Sequence, residues 1–567
     1  MKIKCNGINI TLSDKDFITE GGEGKIYGKD KFIYKIYTDK NKVINPNKIK
    51  ELSVLDMENI VKPIDLVYNA TNNSIVGFTM NWIKNTIPLV KLFSNSYKDV
   101  NNVSNEQLLT LIEKIKEVIN FIHSKQILIV DGNEFNYLVD EKTLSVPYFI
   151  DVDSYQTPNF PATAIMSSIV DYSCKGKFSV YSDWFSFGIV AFQLLTGIHP
   201  YKGTHPDYSK KDLEGRMRNN ISVFNKDVTL PPTAKSLDVI PSEMKEWFLK
   251  IFEKSERLMP PFKFGVIPTI IITTTVDHSL KFDIKLIIDY PTEIKSYQNI
   301  FNNDVIQLED CIYINRKKYN LPNKKCKYIL SDNFEPLFVY VDDNNFLKIE
   351  NEKEKIQVPT IYSENNFIIE NKLFNIYEDK VTEIDRINFG NRTIFSVKNS
   401  WNILLNATKV FDGFLFSNIL GKFYLNVPYD FDSKQVKMAV KHIPELEDYR
   451  IIDGRRIKNV IIIIGHKNNQ YDKIMVKFDE QFDKYLCHTF SNTQDIEINF
   501  TILDNNIGIF LNEENLYIMS SSIKNNNFNV IQDINFIKRN PVICSKGMTA
   551  TFYSGNKFYE FKVKQQK

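Results

Sequence analysis

ILIVDGNEFNYLVD, Ile127 to Asp140, runs apolar, turns through Asp131-Gly132-Asn133, sets Asn136 five residues after Asp131, and runs apolar again. Read alone, it is a two-strand hairpin with an Asp-Gly turn. That reading gives Asn136 no task, so the groups upstream and downstream decide what the stretch is for.

Upstream, FITEGGEGKIYGKDKFIYKIY, Phe17 to Tyr37, reads as strand, glycine turn, strand, polar turn, and a strand with a single Lys35 between Tyr34 and Ile36. Glycines let backbone N–H groups approach a phosphate, and a lysine on the following strand can neutralise its charge. A glycine turn by itself is more often a hairpin, and a strand lysine can extend its head to solvent. Twenty residues after Asp131, YFIDVDSYQ places Asp151 at the end of an apolar strand. Phosphoryl transfer needs a group that orients the acceptor, oxygen ligands for Mg²⁺, and a cation against the phosphates. Asp131, Asn136, Asp151 and Lys35 are residues of those types. Asp183 follows, opening a helix that is apolar nearly all round to Gly197, and an amphipathic helix at SEMKEWFLKIFEKSER comes last. Another helix is read over Asn105 to Lys125, with Leu108, Leu111, Ile112, Ile115, Val118, Ile119 and Ile122 on one stripe.

Over Ile3 to about Phe262 the sequence resembles a protein kinase domain, and within that superfamily a divergent bacterial and phage branch, through GGEGKIY, YKIY, VGFTM, VDGNEFNYLV, IDVDSYQ and HPYKG. The resemblance implies an α+β bilobal fold over 1–262, with an N-lobe to about 82 and a C-lobe beyond. It implies ATP and Mg²⁺ as cofactors. Gly21, Gly22, Gly24 and Lys35 would meet the nucleotide, Asp131 would be the catalytic base, and Asn136 and Asp151 the metal ligands. Glu51 of KIKELSVL is expected to pair with Lys35 on placement alone, with nearby helix residues as alternatives. Asp183 is expected to hold the catalytic-loop backbone, Asp153 either to add a ligand or to cap its turn, and His123 to be packed and hydrogen-bonded.

The sequence departs from the family pattern at several points. Ile129-Val130 stand where His-Arg is usual, Asn133 where a lysine follows the base, Asp151-Val152-Asp153 for D-F-G, and Thr19 for the first glycine. No A-P-E follows. The missing arginine implies that Thr157, Thr163, Ser167 and Ser168 have no reader for added phosphate. Two expectations follow from this pattern. One is an active serine/threonine protein kinase, preferred because each charged group the chemistry needs is present; the other is a pseudokinase scaffold.

Past Pro260-Pro261 the helical periods nearly vanish. Apolar strand, polar turn, apolar strand recurs at Cys311, Leu337, Asn366, Gly413, Asn459, Ile507 and Thr549, with the last four intervals running from 42 to 48 residues. That period predicts an all-β domain over 263–567, a β-propeller of about six or seven blades, against a β-sandwich pair or an irregular solenoid. No cluster with catalytic or metal-ligand spacing occurs there, so this half is expected to dock a protein substrate or partner and to be separable near Pro261.

At 567 residues, length alone implies two to four domains, so the whole chain reads as multidomain. The 71 basic and 69 acidic side chains nearly cancel, which argues against nucleic acid or an anionic membrane as a partner. The six cysteines form no C-x-x-C pair, which argues against structural zinc and a disulfide framework. The N-terminus lacks a signal-like apolar core, and the IITTTV and IIIIG runs are of strand length, so a cytoplasmic protein is expected, in the host cytoplasm if phage-encoded.

Overall fold

The computed structural model describes residues 1–21, 23–210, 212–261, 263–264, 279–323, 326–351, 355–389, 392–432 and 435–564. Gly22, Phe262 and the IITTTV run lie outside the described residues. Strands far outnumber helices among those described.

The chain opens with a seven-stranded antiparallel sheet in the order β2-β1-β6-β7-β5-β4-β3. Its strands are β1 (Lys2–Cys5), β2 (Ile8–Thr11), β3 (Phe17–Glu20), β4 (Gly24–Lys29), β5 (Phe32–Tyr37), β6 (Leu66–Asn69) and β7 (Ile75–Asn81). Between β5 and β6 lies the short helix α1 (Pro46–Leu52), with Asn45 as its N-cap and Pro46 at its first position, a favourable helix start. Strand β5 sits between β4 and β7, with Lys35 opposite Ile26 on one side and Phe78 on the other. Both neighbours press close at glycines. A Cβ on Gly77 would run into the Lys35 carbonyl oxygen, and one on Gly24 into that of Ile36.

A helical portion follows, joined by β8 (Thr86–Pro88), β9 (Tyr137–Asp140) and β10 (Pro147–Phe149), which form a second sheet. Its helices are α2 (Asn95–Val100), α3 (Asn105–Ser124), α4 (Val180–Thr196), α5 (Leu213–Arg218) and α6 (Ser242–Phe252). Helix α3 starts at a Ser104–Gln107 capping box and buries the seven apolar residues of its sequence stripe. Helix α4 is buried from Ser182 to Thr196 and ends where Gly197 turns left-handed at φ +78°, as an all-round apolar helix with a terminal glycine should. Helix α6 packs Phe248 and Phe252 against Phe192 of α4 with ring centroids 5.4 and 6.1 Å away. Burying each such ring contributes about 1.5–3 kcal/mol, so this contact anchors the helical portion.

From Phe282 onward, seven sheets follow among the described residues. Six are built from consecutive strands, within Ser296–Asn320, Lys327–Glu350, Lys355–Asn402, Thr408–His442, Arg450–Phe490 and Asn499–Gln532. The seventh joins the two ends of this half: Phe282–Asp289 pairs antiparallel with Lys557–Val563, beside the two strands before it. Each of the seven strand-turn-strand runs read from the sequence falls in a different sheet. The two short intervals flank the second sheet, which has only three strands.

The two portions do not keep separate cores. Ile452, Ile464, Tyr471 and Ile496 of the β half belong to one apolar cluster with Leu111, Phe135 and Trp184. Glu497 accepts hydrogen bonds at the start of α2 from Ser94, Asn95 and Ser96, and Thr233 donates to Asp495 at 2.8 Å. A cut near Pro261 would therefore expose an apolar face on both pieces. All six cysteines are unpaired, and no helix among the described residues is long and apolar enough to cross a membrane.

Candidate active site

Lys35 lies on β5, an inner strand of the first sheet, and is buried, so its ammonium needs partners. It has them: its Nζ donates to Asp153 Oδ2 at 2.7 Å and to Asp151 Oδ1 at 2.9 Å, with Glu23 Oε2 at 3.5 Å. Burial works against the charge, but Asp153 and Asp151 outweigh it and hold the Lys35 pKa well above its ordinary value. Tyr37, two residues on and hence on the same strand face, donates its hydroxyl to Asp153 at 3.2 Å. Lys48 of α1 donates to the Asp153 carbonyl oxygen at 2.6 Å.

The expected Lys35–Glu51 pair is not formed. Glu51 instead accepts from the Asn159 side chain at 2.7 Å and its backbone N–H at 3.4 Å, at the surface. Asp153, which the sequence left between ligand and turn cap, takes the partner's place. Its carboxyl is pushed up by burial, with Lys35 pulling it down and Asp151 pushing it up again. Three carboxylates thus gather about one buried ammonium, leaving the cluster with an excess of negative charge.

Asp131 and Asn136 stand on the segment before β9. Asp131 follows Val130, whose φ of +64° is an uncommon, strained setting for a β-branched residue. Asp183 over-determines that turn: its carboxylate accepts the Ile129 N–H at 2.8 Å and the Val130 N–H at 2.9 Å, and His123 Nε2 lies 2.8 Å from it. His123 also packs edge-on to Trp184 at 5.2 Å, a packed, hydrogen-bonded histidine that steadies the Asp183 carboxylate. Burial pushes the Asp131 carboxyl up, and the Met166 N–H, donating to Oδ1 at 2.9 Å, offsets part of that.

Pairing of β9 with β10 sets Tyr137 opposite Phe149, and the Ile150 N–H donates to the Asn136 carbonyl at 3.0 Å. Asn136 and Asp151 therefore leave neighbouring strands at the same end of one hairpin. The Asn136 amide NH₂ donates to the Asp131 carbonyl at 2.8 Å, leaving its oxygen end as the donor available to a cation. An amide oxygen and a carboxylate are hard donors of the kind Mg²⁺ takes, and two protein donors suffice where phosphates complete the shell. Among the described residues no group of three or more His, Cys, Asp or Glu is arranged to hold a metal. Of the glycines, Gly21 closes a tight turn with its N–H on the Gly24 carbonyl at 2.9 Å and has open space about its Cα, while Gly24 is fixed by its close neighbour on β5.

The segment between Asp151 and Asp183 is anchored by contacts that sequence reading missed. Arg257 grips Asp171 with two hydrogen bonds of 2.6 Å, a fork-to-carboxylate pair. His199 Nε2 meets the Ser168 carbonyl at 2.8 Å, and Ser186 donates to that of Ile169 at 3.0 Å. An acidic residue before α4 and an arginine after α6 were the available signal, but nothing local in the sequence pairs them.

No family model matches the sequence, and no curated protein matches it. Among solved structures the chain is similar to that of the Cydia pomonella granulovirus kinase PK-1, at 14% identity over 42% of this chain and 88% of that one, with a TM-score of 0.31.

Proposed function

We propose that the chain transfers a phosphoryl group from ATP to a serine or threonine hydroxyl of a protein. The observation that carries this is the gathering of Lys35, Asp151 and Asp153 beside the hairpin end that carries Asn136, with Asp131 five residues before Asn136. In this reading the first sheet and the helical portion are the two lobes of a kinase-like fold. Lys35 draws phosphate charge and leaves part of its contact with Asp151 to do so. Asn136 and Asp151 would hold Mg²⁺, which when bound screens the phosphate oxygens. Asp131, fixed through Met166 at one oxygen, keeps the other for the acceptor hydroxyl and takes its proton as the hydroxyl oxygen bonds to phosphorus and ADP leaves. A carboxyl raised by burial is a better proton acceptor than a free one.

The seven sheets of the β half support a propeller closed by the pairing of Phe282–Asp289 with Lys557–Val563, which leaves few open edges. We infer that it docks the protein substrate; the unpaired cysteines fit a cytoplasmic setting. One observation favours a second reading, a pseudokinase scaffold: the Lys35 ammonium is bonded to both Asp151 and Asp153, a buried pairing that can serve the fold alone. Incubating the full chain with γ-labelled ATP and Mg²⁺, beside an Asp131→Asn variant, separates the two. Label on the chain or on a generic protein substrate that vanishes in the variant supports transfer; equal label, or none in either, supports the scaffold.

A further inference from the structure

The segment that carries Asp131 and Asn136 is held from two sides. On one side Asp183 grips the Ile129 and Val130 N–H groups. The other grip comes from the β half, more than three hundred residues away. Tyr471 donates its hydroxyl to the Glu134 carboxylate, and both residues are buried. Arg450 lies with its guanidinium 4.2 Å over the Phe135 ring and donates to the Phe135 carbonyl at 3.2 Å. The His466 ring packs on Phe135 with centroids 4.6 Å apart, and Tyr471 stands 6.3 Å from the same ring.

We propose that Arg450 and Tyr471 are positioning residues for the Asp131–Asn136 segment, so that the β half completes the site rather than merely tethering a substrate to it. The claim rests on the phosphoryl-transfer reading. Its physical basis is that Asp131 lies between the two grips and Asn136 directly follows the second, so neither can shift without breaking one of them. A segment of six residues with no regular secondary structure has little rigidity of its own. Tolerances at a reacting centre are tight, and a displacement of about 1 Å costs on the order of a hundredfold in rate.

The chemistry of the contact argues for position over simple adhesion. A buried carboxylate is a costly way to hold two surfaces together, since apolar packing would do the same without desolvating a charge. What Glu134 and Tyr471 add is direction: one hydroxyl aimed at one carboxylate fixes the azimuth of the segment. Phe135 fixes its depth, filling a slot between an arginine and a histidine. His466 adds no second charge beside Arg450, because burial holds its pKa down to about 3. Arg450 joins the two functions, meeting both the ring and the main chain of the same residue.

The test uses the full chain as Tyr471→Phe, Arg450→Ala and Arg450→Lys, with thermal unfolding first to show that each variant remains folded. Tyr471→Phe removes a single oxygen and keeps the ring, so it serves where Arg450→Ala unfolds. Two readouts follow. Hydrogen exchange of the peptide spanning 131–136 should quicken by about tenfold in Tyr471→Phe and Arg450→Ala, with Arg450→Lys between them and wild type. Turnover should fall by about tenfold or more, while the dissociation constant for ATP in chelator stays within about twofold, because the Lys35 cluster is untouched. Unchanged exchange, or turnover equal to wild type in folded Tyr471→Phe and Arg450→Ala, overturns the positioning role. Wild-type chain with no Asp131-dependent turnover, yet with the expected change in exchange, overturns the phosphoryl-transfer reading and the positioning role with it.

Discussion

Lys35 holds Asp153, its ammonium nitrogen 2.7 Å from the carboxylate, across a sequence separation of 118 residues, and Glu51 takes no part. Both side chains are almost wholly buried, and breaking such a pair on one side leaves the other uncompensated. Lys35→Met should therefore lower the unfolding free energy by about 3 kcal/mol in urea denaturation, as well as abolishing turnover. Glu51→Gln, by contrast, should leave turnover within about twofold, because its partner is the surface residue Asn159. Loss of turnover in Glu51→Gln would return that glutamate to the site.

Asp183 satisfies two buried N–H groups at a turn that also carries a left-handed valine. Asp183→Ala orphans both, at a cost of about 3 kcal/mol. Asp183→Asn keeps one acceptor oxygen and should cost about half as much. Denaturant midpoints of the two variants check this ordering; equal losses would mean that the charge, and not the pair of acceptors, is what matters.

Acid should destabilise the fold through His199. Burial holds its pKa down to about 3, with its two ring nitrogens engaged by the Ser168 carbonyl and the Tyr201 N–H. In the unfolded chain a histidine titrates near 6.5, so between these values the unfolded state binds the extra proton. The stability from neutral His199 is thus complete above about pH 6.5 and is lost as pH falls toward 3, amounting to about 2 kcal/mol at pH 5. Comparing unfolding free energies at pH 7.5 and pH 5, wild type should lose about 2 kcal/mol more than His199→Gln. His466, also held down to about 3, remains in both and cancels. Equal losses would mean that His199 is not kept neutral.

The sheet that joins the ends of the β half depends on Phe561, whose ring lies 5.5 Å from Phe282 and 5.0 Å from Phe536. Phe561→Ala should cost about 3–5 kcal/mol, and removal of residues 557–567 should unfold the whole β half cooperatively. Proteolysis confined to the last sheet after that truncation would show that the closing pair is dispensable.

What the sequence revealed was whatever repeats locally or follows a fixed spacing. The stripe of α3, the all-apolar α4 and the seven strand-turn-strand runs carry their own periods, and the apolar run before Asp151 marks the strand β10 that ends two residues before it. Glu51 was misjudged because α1 is only seven residues long with Leu52 alone buried, too little apolar pattern to say what each polar side chain will meet. Asp153 was undecided because its direction depends on Asp151 adopting φ +58°, a turn setting that composition leaves open. Glu134 and Tyr471 could not be paired from sequence at all, since their contact depends on how whole sheets come to rest on the helical portion.

If Lys35, Asn136 and Asp151 form a magnesium-nucleotide site, nucleotide and metal should stabilise the fold together. Thermal unfolding of the full chain with ATP, in Mg²⁺ and in chelator, tests it, alongside the same pair of measurements on Asp151→Ala. A nucleotide that binds the folded state alone stabilises it by about 2.7 kcal/mol at a hundred times its dissociation constant, so the effect is readily seen. A larger stabilisation is expected with Mg²⁺ than with chelator in wild type, and no difference between the two in Asp151→Ala. Equal stabilisation of the wild type in both conditions, or none in either, would contradict it.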